Sequence, residues 1–397
     1  MKLLMLSCWF PPPFEGGSVV YVYELAANLP PGCVRVVTTH SEGQVAFDSQ
    51  QPFPTWRCWM QWGAAPGKAR QVGVFLLWVA GILPRLPLWK PDLVLAGDIF
   101  LSGLVARCIK AVFGIPYVVF VYAEELTMQI QRPASFWQRL RGWMCRVVLG
   151  SADGVVGVSD FTLSLLPALG MEPARGIKIV PMVMPPPPTQ PMQVAAVRRR
   201  IGLAPGQPTV LSMGRLIERK GQDNLIRAFA MVLASVPGAR LVIVGRGPDE
   251  ARLKALVKEL GLEPAVVFAG FVLDTEKAAF FDLCDVFAMP HRQLADADTE
   301  GCPTVFLEAG AHGKPVVGGR AGGVSDAILD AQTGFIVDGE RPEQIAKALV
   351  SILTDRALAV RLGARGRQRV LEDLSPEKGA QVLMDYSQAV LATKGIT

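Results

Sequence analysis

Residues 300–326 read EGCPTVFLEAGAHGKPVVGGRAGGVSD, and the fold turns on them. Glu300 and Glu308 mark the two ends of a loop that runs into a helix. Between them Gly301, Cys302, Pro303 and Thr304 are small or turn-forming, so backbone N–H groups can face outward at the helix start and receive an anion. A carboxylate accepts hydroxyl protons in a fixed geometry, which suits hydroxyl-rich ligands. Sugar plus phosphate is the ligand class this segment suggests.

Outward from this segment the chain alternates strand and helix signals. Short apolar runs at residues 2–6, 34–38, 93–96, 117–121 and 154–158 predict parallel strands buried on both faces. Helical patterns lie between them, among them residues 18–29 and 102–113, the latter closed by Gly114 and Pro116. Residues 180–191, VPMVMPPPPTQP, form a proline-rich break. The alternation then restarts, with strands expected at 209–213, 240–244, 266–269, 286–289 and 315–318. The pattern predicts α/β architecture: a Rossmann-like domain over 1–184, a linker at 185–191 and a second Rossmann-like domain over 192–378, with the interdomain cleft as the default site.

SMGRLIERKGQDNLIRAF (212–229) is the second informative segment. A strand ending at Met213 meets Gly214, Arg215 and then Lys220 before a helix of apolar period. Two cations on one strand-to-helix loop can straddle a diphosphate, Arg by its fork and Lys as a point charge. Near the start, PPPFEGGSVVYVYELAANL (11–29) follows the first strand. Gly16 and Gly17 there permit close backbone approach, and Ser18 is the expected N-cap. The GxG of VGRGPDE (244–250) has Glu250 where a dinucleotide fingerprint needs its third glycine, so it reads as a strand-end turn.

The chain has 397 residues, enough for two domains, and half of them are hydrophobic, which excludes disorder. A formal charge of +5, with its one tight basic run at 198–200, is too weak and dispersed for a nucleic-acid reader. Seven scattered cysteines form neither a CxxC nor a Cys/His cluster, and suggest a reducing, cytoplasmic setting. The opening MKLLMLSCWFPPP resembles a signal peptide, but prolines break its apolar run, and it reads as a buried first strand. The apolar stretch at 72–83 is too short to span a bilayer.

Together E-x7-E, the PVV and GG pieces after it, and G-R-L-x-x-x-K-G resemble the retaining glycosyltransferases of family 4, along nearly the whole chain. The resemblance implies the GT-B fold, with an amino-terminal acceptor-binding domain completed by the last helix (379–397) and a carboxy-terminal domain binding a nucleotide-sugar. A UDP-sugar is the preferred donor and a GDP-sugar the alternative; the acceptor is expected to be lipid-linked or a cell-envelope glycan. By position, Arg215 and Lys220 would hold the leaving diphosphate, with Gly214 at their loop. Glu300 would contact the transferred sugar, supported by amides of 302–305 including Val305, and Glu308 the ribose hydroxyls. Gly16 and Gly17 would form the loop meeting donor phosphate and acceptor, and the nucleobase would lie on the turn ending at Val272. No cofactor or metal is implied. Asp296-Ala297-Asp298 fits the DxD string of metal-using enzymes, but reads as a solvated approach to Glu300.

The chain departs from the family where Tyr122 stands in place of a histidine, followed by Ala123, Glu124 and Glu125. Glu124 is the candidate for positioning acceptor or sugar, and His291, at a strand end, a candidate donor contact. All eight tryptophans fall in the first 143 residues. Residues 1–184 carry 15 Lys+Arg against 11 Asp+Glu. Trp56, Trp59 and Trp62 with Arg57, Lys68 and Arg70 suit a membrane-surface patch on the inner face of the membrane, or equally an aromatic core with an acceptor groove. Two rivals stand beside the transferase reading. A nucleotide-sugar epimerase would call for more acid/base side chains, and a non-catalytic scaffold would not need all four of Arg215, Lys220, Glu300 and Glu308.

Overall fold

The apolar runs become strands buried on both faces: LLML at Leu3–Leu6 is entirely inaccessible. In this computed structural model the described residues are all but 15, 59–67, 131–135, 173–174, 185, 187–188, 296–297 and 396–397, with no side-chain surroundings given for 68–72, 74 and 274. The chain divides into two compact units, Met1–Met182 with Pro376–Thr397, and Val183–Ser375.

The first unit holds β1 (Leu3–Leu6), β2 (Val34–Thr39), β3 (Thr55–Cys58), β4 (Leu93–Ala96), β5 (Tyr117–Val121), β6 (Gly154–Gly157) and β7 (Gly176–Lys178). They form one parallel sheet in the order β3-β2-β1-β4-β5-β6-β7. Leu3 pairs with Val34 on one side and Leu93 on the other, so the strand order reverses between β1 and β4. Ligands of open parallel sheets bind outside the carboxyl ends at such a reversal. The helix Pro376–Ala392 packs on the helix Gly17–Asn28. Tyr386 Oη accepts from Val155 N–H at 3.0 Å, and Lys394 pairs with Asp153 at 3.0 Å. The terminal helix is thus tied to β6.

The second unit carries β8 (Thr209–Met213), β9 (Arg240–Val244), β10 (Val266–Gly270), β11 (Val286–Met289), β12 (Val316–Gly319) and β13 (Gly334–Val337). Their order is β10-β9-β8-β11-β12-β13, again parallel and reversing between β8 and β11. Phe229, Leu225, Ile345 and Leu349 belong to its fully buried core.

The amino-terminal aromatics divide between core and surface. Trp78 is fully buried on the helix Lys68–Ile82. Trp56 lies half-buried on β3, with the Arg35 guanidinium 4.4 Å over its ring. Trp59 and Trp62 lie outside the described residues, as do the side chains of Lys68 and Arg70.

Candidate active site at the sheet reversal

The carboxyl ends of β8 and β11 bring the two informative segments together. After β8 a tight turn at Glu218–Lys220 presents Arg219 and Lys220, and Gly221 then opens the helix Gln222–Ser235. Gly221 has φ 73°, and a Cβ there would stand 2.1 Å from the Pro290 carbonyl oxygen, so only glycine lets this loop close on the one after β11. Arg292 clamps the pair from the other side, donating to both carboxylate oxygens of Asp223 at 2.9 and 3.0 Å.

Between these loops lies an ion cluster. Lys220 Nζ is 3.1 Å from Glu300 Oε1, and Arg219 Nε donates to the same oxygen at 2.7 Å. A second Arg219 nitrogen reaches Asp298. Burial alone would raise the Glu300 pKa, yet Lys220 and Arg219 hold the carboxyl down at about 2. The Glu300 carbonyl also accepts from Gly323 N–H at 3.1 Å. Gly322, at φ 55°, has no room for a Cβ, which would fall 1.9 Å from that carbonyl oxygen.

Lys220 and Glu300 therefore meet directly. Arg219, which sequence reasoning passed over, makes the larger share of the contacts; it fills a variable position of the G-R-L-x-x-x-K string, where no motif points to it. Asp298, expected as a solvated approach, is an Arg219 partner, and Asp296 and Ala297 lie outside the described residues. Among the described residues no group of three or more His, Cys, Asp or Glu side chains is disposed to hold a metal.

His291, expected as a donor contact, lies within electrostatic reach of Glu300 and Lys220. Its ring is fully buried, with Nδ1 3.2 Å from the Met289 carbonyl and Nε2 3.1 Å from the Ala321 carbonyl. Burial lowers its pKa and favours the neutral ring, which donates to one of these two carbonyls and ties the loop after β11 to the β12 end.

Arg215 is exposed on the loop that begins at Gly214, and its carbonyl accepts from Gln222 at 3.3 Å. Gly301 and Cys302 are half-buried between Glu300 and the helix Thr304–Ala311. Pro303 caps that helix without offering a side-chain oxygen to the first-turn N–H groups of Thr304 and Val305. Glu308 sits one turn inside the helix rather than at a loop end. It borders a cavity of about 140 Å³ with Lys277, Phe281, His312 and Met184. Val272 is buried beneath the exposed Phe271, over which Arg246 stands at 5.7 Å.

In the first unit Gly16, at φ 99°, caps the helix Gly17–Asn28, so Ser18 falls inside the first turn instead of capping it. Glu124 is exposed on the first turn of the helix Ala123–Ile130, while its neighbour Glu125 turns inward. Burial and then the Asp98 carboxylate push the Glu125 pKa well up, against an Ile99 N–H bond and Arg141. Asp98 accepts from Leu101 N–H at 2.8 Å and from Cys8 Sγ at 3.2 Å. Glu125 Oε2 and Tyr122 Oη are buried and without a hydrogen-bond partner among the described residues. Cys8, Asp98, Tyr122 and Glu125 thus gather at the ends of β1, β4 and β5. No motif flagged Asp98 or Glu125; the only available signal was a short carboxylate following a buried strand.

Known proteins bear on both units. Residues 16–182 match the model of a glycosyl transferase 4-like domain, and residues 194–369 that of the glycosyl transferases group 1. A GDP-mannose-dependent alpha-(1-6)-phosphatidylinositol monomannoside mannosyltransferase of Mycobacterium tuberculosis is 38% identical over 236 residues, 59% of this chain and 61% of that protein. The lipopolysaccharide core biosynthesis glycosyltransferase LpsE of Rhizobium meliloti is 35% identical over 51% of this chain and 54% of its own length. The chain thus spans between half and two thirds of these relatives. Among solved structures, Anabaena HepE in complex with UDP superposes with a TM-score of 0.76 at 19% identity, covering 98% of this chain and all of that one. With two parallel α/β units and a family model on each, the chain belongs to the group 1 glycosyltransferases of family 4, with the GT-B fold.

Proposed function

We propose that the protein is a metal-independent, retaining glycosyltransferase moving a hexosyl group from a nucleoside diphosphate sugar to a lipid-linked acceptor glycan on the cytoplasmic side of a membrane. The observation that carries this reading is the Arg219–Glu300–Lys220 cluster at the reversal between β8 and β11. Arg215 stands exposed on the loop beside this cluster, where its charge can meet a diphosphate. As the glycosidic bond lengthens, the leaving phosphate gains charge. Arg215 and Lys220 stabilise it without reorganising, which is the work a divalent ion does elsewhere. Glu300, kept ionised by its cationic neighbours, accepts hydroxyl protons from the sugar and fixes its position.

In this reading the departing phosphate oxygen takes the acceptor proton on the face where the acceptor attacks, so the anomeric configuration is kept. No histidine base is needed there, in keeping with Tyr122 at the position where a histidine is usual. The GDP-mannose dependence named for the Mycobacterium tuberculosis mannosyltransferase favours a GDP-sugar over the UDP-sugar preferred from the sequence, and the phosphatidylinositol monomannoside in its name supports the acceptor class.

The test is a screen of donor consumption across GDP- and UDP-sugars with and without a lipid-linked glycan, with the product anomer read by NMR. Acceptor-dependent release of nucleoside diphosphate with retained configuration is the expected result. Conversion of the nucleotide sugar to its epimer without an acceptor, or an inverted product, would overturn the reading.

A further inference from the structure

Two carboxyl groups meet where the first sheet reverses, and their surroundings are opposite. Gly97 N–H donates to the Leu6 carbonyl at 2.7 Å, so the loop after β4 starts against β1. Asp98 then accepts from Leu101 N–H at 2.8 Å, from Ser102 N–H at 3.2 Å, from the Ser102 hydroxyl and from Cys8 Sγ at 3.2 Å. Donors on every side suit a carboxylate, which can only accept. Glu125, from the loop after β5, has far less. Its carboxyl accepts from Ile99 N–H, and its Oε2 is shielded and unpartnered although the residue is only half-buried. Around it stand Asp98, Cys8, Tyr122 and Glu124, with Cys145 and Arg141 from the helix Phe136–Ser151. Arg141 is the one cation among these, and its guanidinium lies 4.4 Å over the Phe100 ring. A shielded carboxyl with a single N–H bond, set beside a second carboxylate, keeps its proton. Burial first, and then Asp98, push the Glu125 pKa well up.

We propose that Glu125 is a positioning residue that works as a neutral carboxylic acid, tying the loop after β5 to the loop after β4 and so fixing Glu124 at the sheet reversal. Glu125 and Glu124 are neighbours in the first turn of the helix Ala123–Ile130, the one anchored inward and the other exposed. Consecutive helical side chains stand about 100° apart, so anchoring the first sets the direction of the second. For what Glu124 meets there, an acceptor hydroxyl, this rests on the transferase reading; the protonation state of Glu125 does not. Ionised, Glu125 would put a second negative charge beside Asp98 with no bonded cation among the described residues to offset it, and the helix start would have to lift to bring the charge to water. The sign follows from the raised value. The anchored form is complete in the ordinary carboxyl range and is lost as pH rises through the folded-state value. A carboxylate needed as a base or an ion-pair partner would behave in the opposite way.

The full chain and its variants are assayed from about pH 6 to about pH 9, the span in which buried glutamates titrate. The probes are GDP-mannose and detergent-dispersed phosphatidylinositol monomannoside, the two compounds in the name of the Mycobacterium tuberculosis relative. Glu125→Gln stays neutral and keeps an oxygen for Ile99 N–H. Its kcat/KM for acceptor should lie within about threefold of the parent and lack the parent's decline toward alkaline pH. Glu125→Ala should raise acceptor KM roughly five- to tenfold, the worth of a buried hydrogen bond, with donor KM within about twofold of the parent. Should it fail to fold, Glu125→Asp, which draws the acid back by one carbon, carries that arm. Difference infrared spectra of the parent against Glu125→Gln at neutral pH read the proton without turnover, and a carboxylic acid C=O band is expected. Absence of acceptor-dependent turnover in the parent rejects the transferase reading and with it the role of Glu124, while the infrared band still decides the state of Glu125. No such band, a Glu125→Gln protein as impaired as Glu125→Ala, an unchanged acceptor KM in folded Glu125→Ala, or an alkaline decline that persists in Glu125→Gln would overturn the proposal.

Discussion

Replacing Lys220 by Ala separates the folding role of the ion cluster from its catalytic one. Lys220 Nζ lies 3.1 Å from Glu300 Oε1, with side chains only 15% and 11% exposed. Glu300 is held at about 2 against an ordinary 4.5. At about 1.36 kcal/mol per pH unit, that interval corresponds to roughly 3 kcal/mol net of the burial penalty, with Lys220 and Arg219 the main favourable partners. With Arg219 still in place, losing Lys220 should cost roughly 1–2 kcal/mol of folding stability, a lowering of the thermal midpoint by a few degrees. Because the folded-state value is depressed, this contribution is complete above about 4.5 and disappears as pH falls toward about 2. The stability gap between parent and variant should therefore close over that window. The rate effect is larger: removing a fixed cation from a developing phosphate charge costs roughly 2.7–4 kcal/mol, or a hundredfold to a thousandfold in kcat/KM. The assay measures donor consumption under saturating and limiting donor beside the thermal midpoint. Arg219→Gln is the companion variant, expected to lose similar stability while raising KM more than it lowers kcat, since its contacts hold Glu300 and Asp298 in place. A folded Lys220→Ala protein turning over within about threefold of the parent would refute the assignment.

Activity should survive exhaustive chelation, because the cationic loop supplies the charge a divalent ion would bring; loss of turnover restored by magnesium or manganese would return Asp296 and Asp298 to a metal role. Glu24 is buried on the helix Gly17–Asn28, and burial followed by the nearby Glu377 raises its pKa to about 7. Its carboxylate therefore opposes folding increasingly from about pH 4.5 to 7. Glu24→Gln should stabilise the fold by roughly 1–3 kcal/mol at pH 8 and by under about 1 kcal/mol at pH 5, read from the thermal midpoint at each pH, and an equal effect at both values would sink the idea.

The interior strands were legible because burial on both faces demands continuous apolar runs, as in LLML, YVVFV and TVLSM. The strands that escaped the sequence, β3, β7 and β13, all lie at sheet edges. Their residues are largely half-exposed, so TWRC and GIK carry no apolar run to notice. At the site, motif spacing located Lys220 and Glu300 but could not say that they touch. That contact depends on two glycines letting distant loops close. A helix starting directly after β5 gives no reference for its phase, and one residue turns a side chain by about 100°, so the sequence does not show that Glu124 is exposed while the Glu125 carboxyl turns inward.

The helix Phe136–Ser151 shows a deeper limit of sequence reading. Phe136, Leu140, Trp143 and Val147 at spacings of four, three and four are the pattern by which a core-facing stripe is recognised, yet Phe136 is 70% exposed and Trp143 56%. The face that is buried, with Gly142, Cys145, Val148 and Leu149, is the smaller in side-chain volume. Periodicity reports that a helix has an apolar stripe; it does not report whether protein or lipid covers it, since both exclude water. Only the packing of the chain shows which stripe is taken.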